Sequence, residues 1–262
     1  MSVGASSGVD GYAPEGIDGK VALVTGATRG LGRSIAVGLA DAGCDLVVTS
    51  RHQDACDELA MELAVRTRRK VLPVACHVGR WDEIDGLVES ASDRFGRVDL
   101  LVNNAGMSPL YPRLTAVTEE MFDKVVAVNL KGPFRLSALL GERMIDRGGA
   151  ILNISSVAAT RPDPDSLPYA AAKAGLNALT RGLAVALGPS VRVNTIMAGP
   201  FETDVASAWS DEYRARIAQY PLGRIGLPTE IVGAALFLLS DAASFVTGAV
   251  LPVDGGMDAT PA

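Results

Sequence analysis

The chain has 262 residues, enough for one large α/β domain or two small ones. With 48% apolar and 21% charged residues it has a soluble, globular composition, and its net charge of -6 argues against a basic nucleic-acid footprint. No apolar run approaches the ~20 residues needed to cross a bilayer, and the N-terminus lacks a basic stretch followed by a long apolar one, so a cytoplasmic protein with neither membrane nor nucleic-acid partners is expected.

Residues 1–16, rich in Gly and Ser, are expected to be a disordered lead-in to a single domain over 17–262. From Lys20 onward, short β-branched runs alternate with longer amphipathic segments: strand 21–25, helix 30–42 and strand 45–49 form a βαβ unit. Helix 54–67, strand 71–75, helix 81–95 and strand 98–102 continue the rhythm, with further strands at 150–154, 191–196 and 250–253. Connections this long between short apolar strands imply parallel pairing with right-handed crossovers. The predicted fold is α/β, a single doubly wound parallel sheet with helices on both faces, of Rossmann type. The longest irregular stretch, 199–228, carries Phe201, Trp209, Tyr213 and Tyr220 and is a candidate lid. Cys44, Cys56 and Cys76 form no C-x-x-C pair and the only histidines are His52 and His77, so neither a disulfide framework nor a metal site is expected.

The first strand runs into Thr25-Gly26-Ala27-Thr28-Arg29-Gly30-Leu31-Gly32 and then a helix. Glycines there let the backbone approach a pyrophosphate, and a helix N-terminus offers unpaired N–H groups and positive dipole potential. The spacing is G-x-x-x-G-x-G rather than G-x-G-x-x-G. Where an NAD-binding fold carries an acid at the end of its second strand for the ribose 2′-hydroxyl, this chain has Ser50 and Arg51. A hydroxyl beside a guanidinium suits a 2′-phosphate, and Arg29 adds a second cation, so NADP(H) is expected to be preferred with NAD(H) still possible.

Tyr169 and Lys173 stand at i, i+4, on one face of a helix about one turn or ~6 Å apart, with Ser156 at the end of the strand over 150–154. A nearby cation favours the phenolate, which makes Tyr169 a candidate acid–base with a lowered pKa.

Taken together, these residues resemble the short-chain dehydrogenase/reductase family from about Lys20 to Met257. The glycine turn is similar to the family's T-G-x-x-x-G-x-G, and Asn103-Asn104-Ala105-Gly106 to its N-N-A-G. Ser156, Tyr169 and Lys173 resemble its catalytic triad, with Asn129 the fourth member, and 247–256 resembles its T-G-x-x-L-x-V-D-G-G tail. The resemblance implies that Ser156 polarises a substrate carbonyl, that Tyr169 protonates it, and that Lys173 bonds the nicotinamide ribose and lowers the phenol's pKa. It also implies that Asn129 holds a proton-relaying water, that Asn104, Ala105 and Gly106 line the adenosine half of the cleft, and that Thr203, past Gly199, meets the carboxamide. Two departures are visible. His77, before Val78, replaces the aspartate expected to contact adenine, and Met197-Ala198-Gly199-Pro200 reverses the usual order of proline and glycine. A homotetramer follows from the resemblance, with a paired-helix interface built from the helix after Tyr169 and that over 229–239. The resemblance implies a small carbonyl or alcohol substrate, as for β-ketoacyl-carrier-protein reductases and their sugar- or alcohol-acting relatives. An NAD-dependent sugar or polyol dehydrogenase and a non-catalytic dinucleotide sensor are the alternatives.

Overall fold

The computed structural model of the protein describes residues 15–204, 206 and 209–260. Residues 1–14 of the expected lead-in lie outside them, while the Glu15 carbonyl accepts the Asp241 N–H at 3.0 Å and Ile17 is fully buried.

The chain order is β1 (Val21–Thr25), α1 (Gly30–Asp41), β2 (Asp45–Ser50), α2 (Gln53–Thr67), β3 (Val71–Ala75), α3 (Trp81–Phe95) and β4 (Leu100–Asn103). It continues with α4 (Glu119–Val126), a π turn (Ala127–Lys131), α5 (Gly132–Met144), β5 (Gly149–Ser156), α6 (Leu167–Leu187) and β6 (Val191–Ala198). α7 (Asp211–Ile217), α8 (Val232–Leu239) and β7 (Val250–Val253) complete it. Every strand and helix expected from periodicity is present, with ends shifted by a few residues as helix fraying and ladder geometry allow. Periodicity assigns no element between β4 and β5, and the structure fills that region with α4, the π turn and α5. The candidate lid is less irregular than expected, because Ser210 caps α7 by accepting the Tyr213 N–H at 3.1 Å.

The seven strands are all parallel in the order β3-β2-β1-β4-β5-β6-β7. Parallel strands need crossovers, and these place helices on both faces. One core layer packs Ile35 and Leu39 of α1 and Leu238 of α8 on the sheet; the other packs Ile84 and Leu87 of α3, Leu136 and Leu140 of α5 and Leu187 of α6 on the opposite face. The central strands are buried on both sides, hence their apolar runs, VALV in β1 and LLV in β4, each ending in a buried polar residue at the C-terminal edge. The strand order reverses between β1 and β4, so the segments leaving their C-terminal ends diverge and open a crevice there.

Cys44, Cys56 and Cys76 are buried free thiols, and burial pushes Cys44 and Cys76 up to about 12, which makes both poor nucleophiles. Among the described residues, no helix is long and apolar enough to cross a membrane.

Candidate active site

The crevice begins at Thr25, the last residue of β1. Its hydroxyl donates to the Val102 carbonyl at 3.3 Å and accepts the N–H groups of Asn104 and Ala105, each at 3.0 Å. The Asn104 amide returns the tie, donating to the carbonyls of Thr25 at 2.9 Å and Gly26 at 3.1 Å. The Asn104 side chain therefore holds the glycine turn. The turn needs glycine for two reasons. Gly26 and Gly30 have φ of 62° and 54°, and a Cβ on Gly32 would collide with the Asn104 amide and the Gly26 carbonyl. Arg29 is the N-cap of α1 and makes no side-chain cap, so the first N–H groups of α1, behind Thr28 and Leu31, remain without a side-chain acceptor at the cap.

At the end of neighbouring β2, Ser50 lies against His52 and Cys56, its hydroxyl 3.2 Å from the His52 carbonyl and 3.3 Å from the Cys56 sulfur. Arg51 is exposed and, among the described residues, makes no ion pair. Arg29 is also exposed and meets Asp204 at 3.3 Å. Thr49 pairs with Thr25 in the sheet register, so the segments that carry the two arginines leave adjacent strand ends, and no carboxylate occupies the end of β2. His77, after β3, uses its ring as an aspartate would in a turn: Nδ1 accepts the Gly79 N–H at 3.1 Å. In the neutral ring this leaves Nε2 as the protonated nitrogen, a donor where the expected aspartate would accept. The His77 N–H donates to Glu83 at 2.6 Å, and this bond is the main reason the Glu83 carboxyl is held below its ordinary range. Val78 is buried, its carbonyl against Gly132.

Across the crevice, β5 delivers Ser156 and α6 delivers Tyr169 and Lys173. Lys173 is 3% exposed, and its ammonium donates to the Ile154 carbonyl at 2.7 Å and lies 5.7 Å from the centroid of the Tyr169 ring. Desolvation lowers Lys173 to about 8. Tyr169 moves in the direction opposite to the sequence expectation. Its phenol is raised above the ordinary tyrosine range because desolvation outweighs the hydrogen bond with Ser156, and Lys173 does not contribute. The reason is that desolvation brings Lys173 down to about 8, so it has lost its proton before the raised phenol would ionise and offers the phenolate no charge. The Ser156 hydroxyl also accepts the Ala158 N–H at 3.2 Å.

Asn129 sits in the π turn between α4 and α5 and is fully buried. Its amide donates to the carbonyls of Met107 and Val125, each at 2.9 Å, and its oxygen accepts the Met107 N–H at 3.3 Å. Both amide hydrogens are thus committed, and the side chain pins the segment after β4. A Cβ on Gly106 would lie 3.0 Å from the Asn129 oxygen and 3.7 Å from the Lys173 ammonium, so the β4 exit, the π turn and α6 converge here. Gly199, after β6, donates its N–H to Val253 at 3.0 Å and packs so closely on Asp254 that a Cβ would meet it. Thr203 stands apart from this cluster, its methyl over Gly30.

A buried polar ladder below the site was missed in the sequence. Asn103 donates to Ser137 at 3.0 Å and Asn153 at 2.9 Å, Asn153 donates to Thr180 at 2.9 Å, and Thr180 meets Thr195 at 2.7 Å. The available signal was Asn153 itself, a polar residue inside the apolar strand β5, since a buried amide requires partners.

The Enoyl-(Acyl carrier protein) reductase family model matches residues 26–258. The chain belongs to the short-chain dehydrogenase/reductase family. It is 37% identical over 244 residues to the 3-oxoacyl-[acyl-carrier-protein] reductase of Thermotoga maritima, covering 92% of this chain and 98% of that one. It is likewise 37% identical to the dehydrogenase/reductase SDR family member 4 of Sus scrofa, covering 96% and 91%. The structure of the 3-ketoacyl-(acyl-carrier-protein) reductase of Brucella melitensis, complexed with NADH, superposes with a TM-score of 0.85 at 33% identity, covering 92% and 99%. This chain is therefore an oxidoreductase of that family, with its ketoacyl reductases among its relatives.

Proposed function

We propose that the protein is an NADP(H)-preferring oxidoreductase that interconverts a carbonyl and a secondary alcohol, with Tyr169 as the acid–base. The observation that carries this reading is the meeting of Tyr169, Lys173, Ser156 and Gly106 beside a crevice whose other wall is the glycine turn. That wall suits a dinucleotide: the glycines leave open backbone where side chains would stand, and Thr28, Arg29, Gly30, Leu31 and Gly32 would hold the phosphates. Ser50, Arg51 and Arg29 would hold a 2′-phosphate, His77 and Val78 the adenine, and Ala105 and Gly106 the adenosine side. Lys173 would face the nicotinamide ribose and Thr203, beyond Gly199, would close on the cofactor. When bound, the nicotinamide supplies or accepts the hydride.

Ser156 donates a hydrogen bond to the substrate oxygen and keeps it beside Tyr169 as negative charge develops there. Tyr169, held above the ordinary tyrosine range, remains a protonated acid at neutral pH and delivers its proton to that oxygen; this favours carbonyl reduction. Lys173 titrates near 8 and can replace that proton, and Asn129 fixes the adjoining Gly106–Met107 segment. The segment 199–228 acts as a lid, its ends tied by a bridge between Phe201 and Gly226. The working assembly is a cytoplasmic homotetramer. Phe237 of α8, Phe245 beyond it and Val185 of α6 are 41%, 102% and 84% exposed, apolar surface that a second copy would cover.

The test is the consumption of NADPH and NADH with a panel of ketones, β-ketoesters, quinones and sugars. Reduction of at least one class with a higher kcat/KM for NADPH is expected. Equal or better use of NADH, the cofactor bound in the Brucella relative, would reverse the cofactor assignment. Tight nucleotide binding with no turnover of any carbonyl would point to a sensor. Light scattering that gives a monomer at micromolar concentration would remove the tetramer.

A further inference from the structure

Tyr169 stands in the first turn of α6, the part of a helix that frays most readily, and that turn lacks a cap of its own. The N-cap Ser166 has φ -144° and ψ 32° and makes no side-chain cap bond, and Pro168 has no N–H to offer. α4 and α7 are capped locally, by Thr118 and Ser210, whereas α6, like α1, α2, α3, α5 and α8, has no side-chain cap from its own N-cap residue. The missing acceptor comes from far away in the chain. The Leu167 N–H donates to the Tyr111 hydroxyl at 2.9 Å, and that hydroxyl donates to the Pro164 carbonyl at 2.7 Å. Tyr111 is only 5% exposed although it lies in an irregular segment. The other end of that segment, Gly106–Met107, is held by Asn129 beside Lys173.

We infer that Tyr111 is a positioning residue for Tyr169: its hydroxyl closes the start of α6 and couples the phenol's place to the segment leaving β4. This rests on the proposed role of Tyr169. The loss of one hydroxyl would let the first turn open and close, so that the phenol spends less time within reach of Ser156 and the substrate oxygen. The ring of Tyr111 would remain packed, and the glycine turn, which it does not touch, would be unaffected.

The experiment compares Tyr111→Phe with the unaltered full chain in two measurements. Hydrogen–deuterium exchange of the peptide over 166–172 should be faster in the variant, with the other helices unchanged as the control for folding. The kcat with NADPH and the best carbonyl of the panel should fall roughly ten- to hundredfold, the scale of a misplaced reacting group, while KM and the dissociation constant for NADPH stay within about twofold. Faster exchange with unchanged kcat would overturn the positioning role, and unchanged exchange would overturn the clamp itself. Should the unaltered protein reduce no carbonyl, the proposed function fails, and the clamp is judged on exchange alone.

Discussion

The two walls of the crevice are built by different means. The wall built from the glycine turn is a backbone structure: glycines at positive φ, an amide from Asn104 and a hydroxyl from Thr25, with its charged side chains, Arg29 and Arg51, out in solvent. The opposite wall is a side-chain structure, in which a buried ammonium and a desolvated phenol depend on α6 meeting β5. On the proposed function, binding at the first wall should be sensitive to sterics and screened by salt, and turnover at the second should be sensitive to single functional groups and to pH.

The largest expected effect belongs to the second wall. Tyr169→Phe removes the proposed proton donor and should cut kcat by roughly 10²- to 10⁴-fold, the usual worth of general acid–base catalysis, with the dissociation constant for NADPH nearly unchanged. Single-turnover kinetics would check this, and retention of most of the kcat would break the distinction between the walls. On the first wall, Gly32→Ala inserts a Cβ against Asn104 and the Gly26 carbonyl, and the resulting backbone shift costs about 1–3 kcal/mol. NADPH binding measured by fluorescence should weaken by roughly ten- to hundredfold, with little change in kcat at saturation.

Lys173 sharpens the comparison because its proposed role in chemistry and its effect on stability oppose one another. Its fall from 10.5 to about 8 corresponds to a penalty of about 3 kcal/mol on the charged form. The folded group titrates near 8 and the unfolded one near 10.5, so between these values the unfolded chain holds more protons and stability rises with pH. Below about 8 both states are charged and the penalty is complete. Lys173→Met should abolish most turnover yet raise stability at pH 7 by about 1–3 kcal/mol, less whatever the lost bond to Ile154 costs. Denaturation at pH 7 and pH 10 tests this, since the difference between variant and parent should narrow at the higher pH. A smaller effect is expected from Arg51→Ala, an exposed charge: KM for NADPH should rise by about tenfold and that for NADH by less than twofold. Equal changes for both cofactors would remove Arg51 from 2′-phosphate recognition.

The first wall was almost wholly legible in the sequence. A glycine turn between an apolar strand and a helix specifies its own conformation within about ten residues, and the absence of an acid after β2 can be read directly. Tyr169, Lys173 and Ser156 were legible as a pattern, but their ionisation was not. The spacing suggested an ammonium that lowers a phenol, whereas burial of both groups raises the phenol and lowers the ammonium. The helices between β4 and β5 escaped notice because a π turn interrupts their period at Asn129. Tyr111 and the Asn103–Asn153–Thr180 ladder had no local signal beyond a polar or aromatic residue in an unexpected place.

The sequence by itself determined the alternation of strands and helices, the parallel sheet and the identity of the turn, since each follows from the period of apolar residues and the conformational freedom of glycine over short stretches. Only the tertiary structure decided which groups lose water, which carbonyl holds Lys173, and which distant hydroxyl closes the helix that carries Tyr169. Desolvation and long-range hydrogen bonding depend on what packs around a group, and the partners here lie tens of residues away: Leu167 and Tyr111 are 56 positions apart.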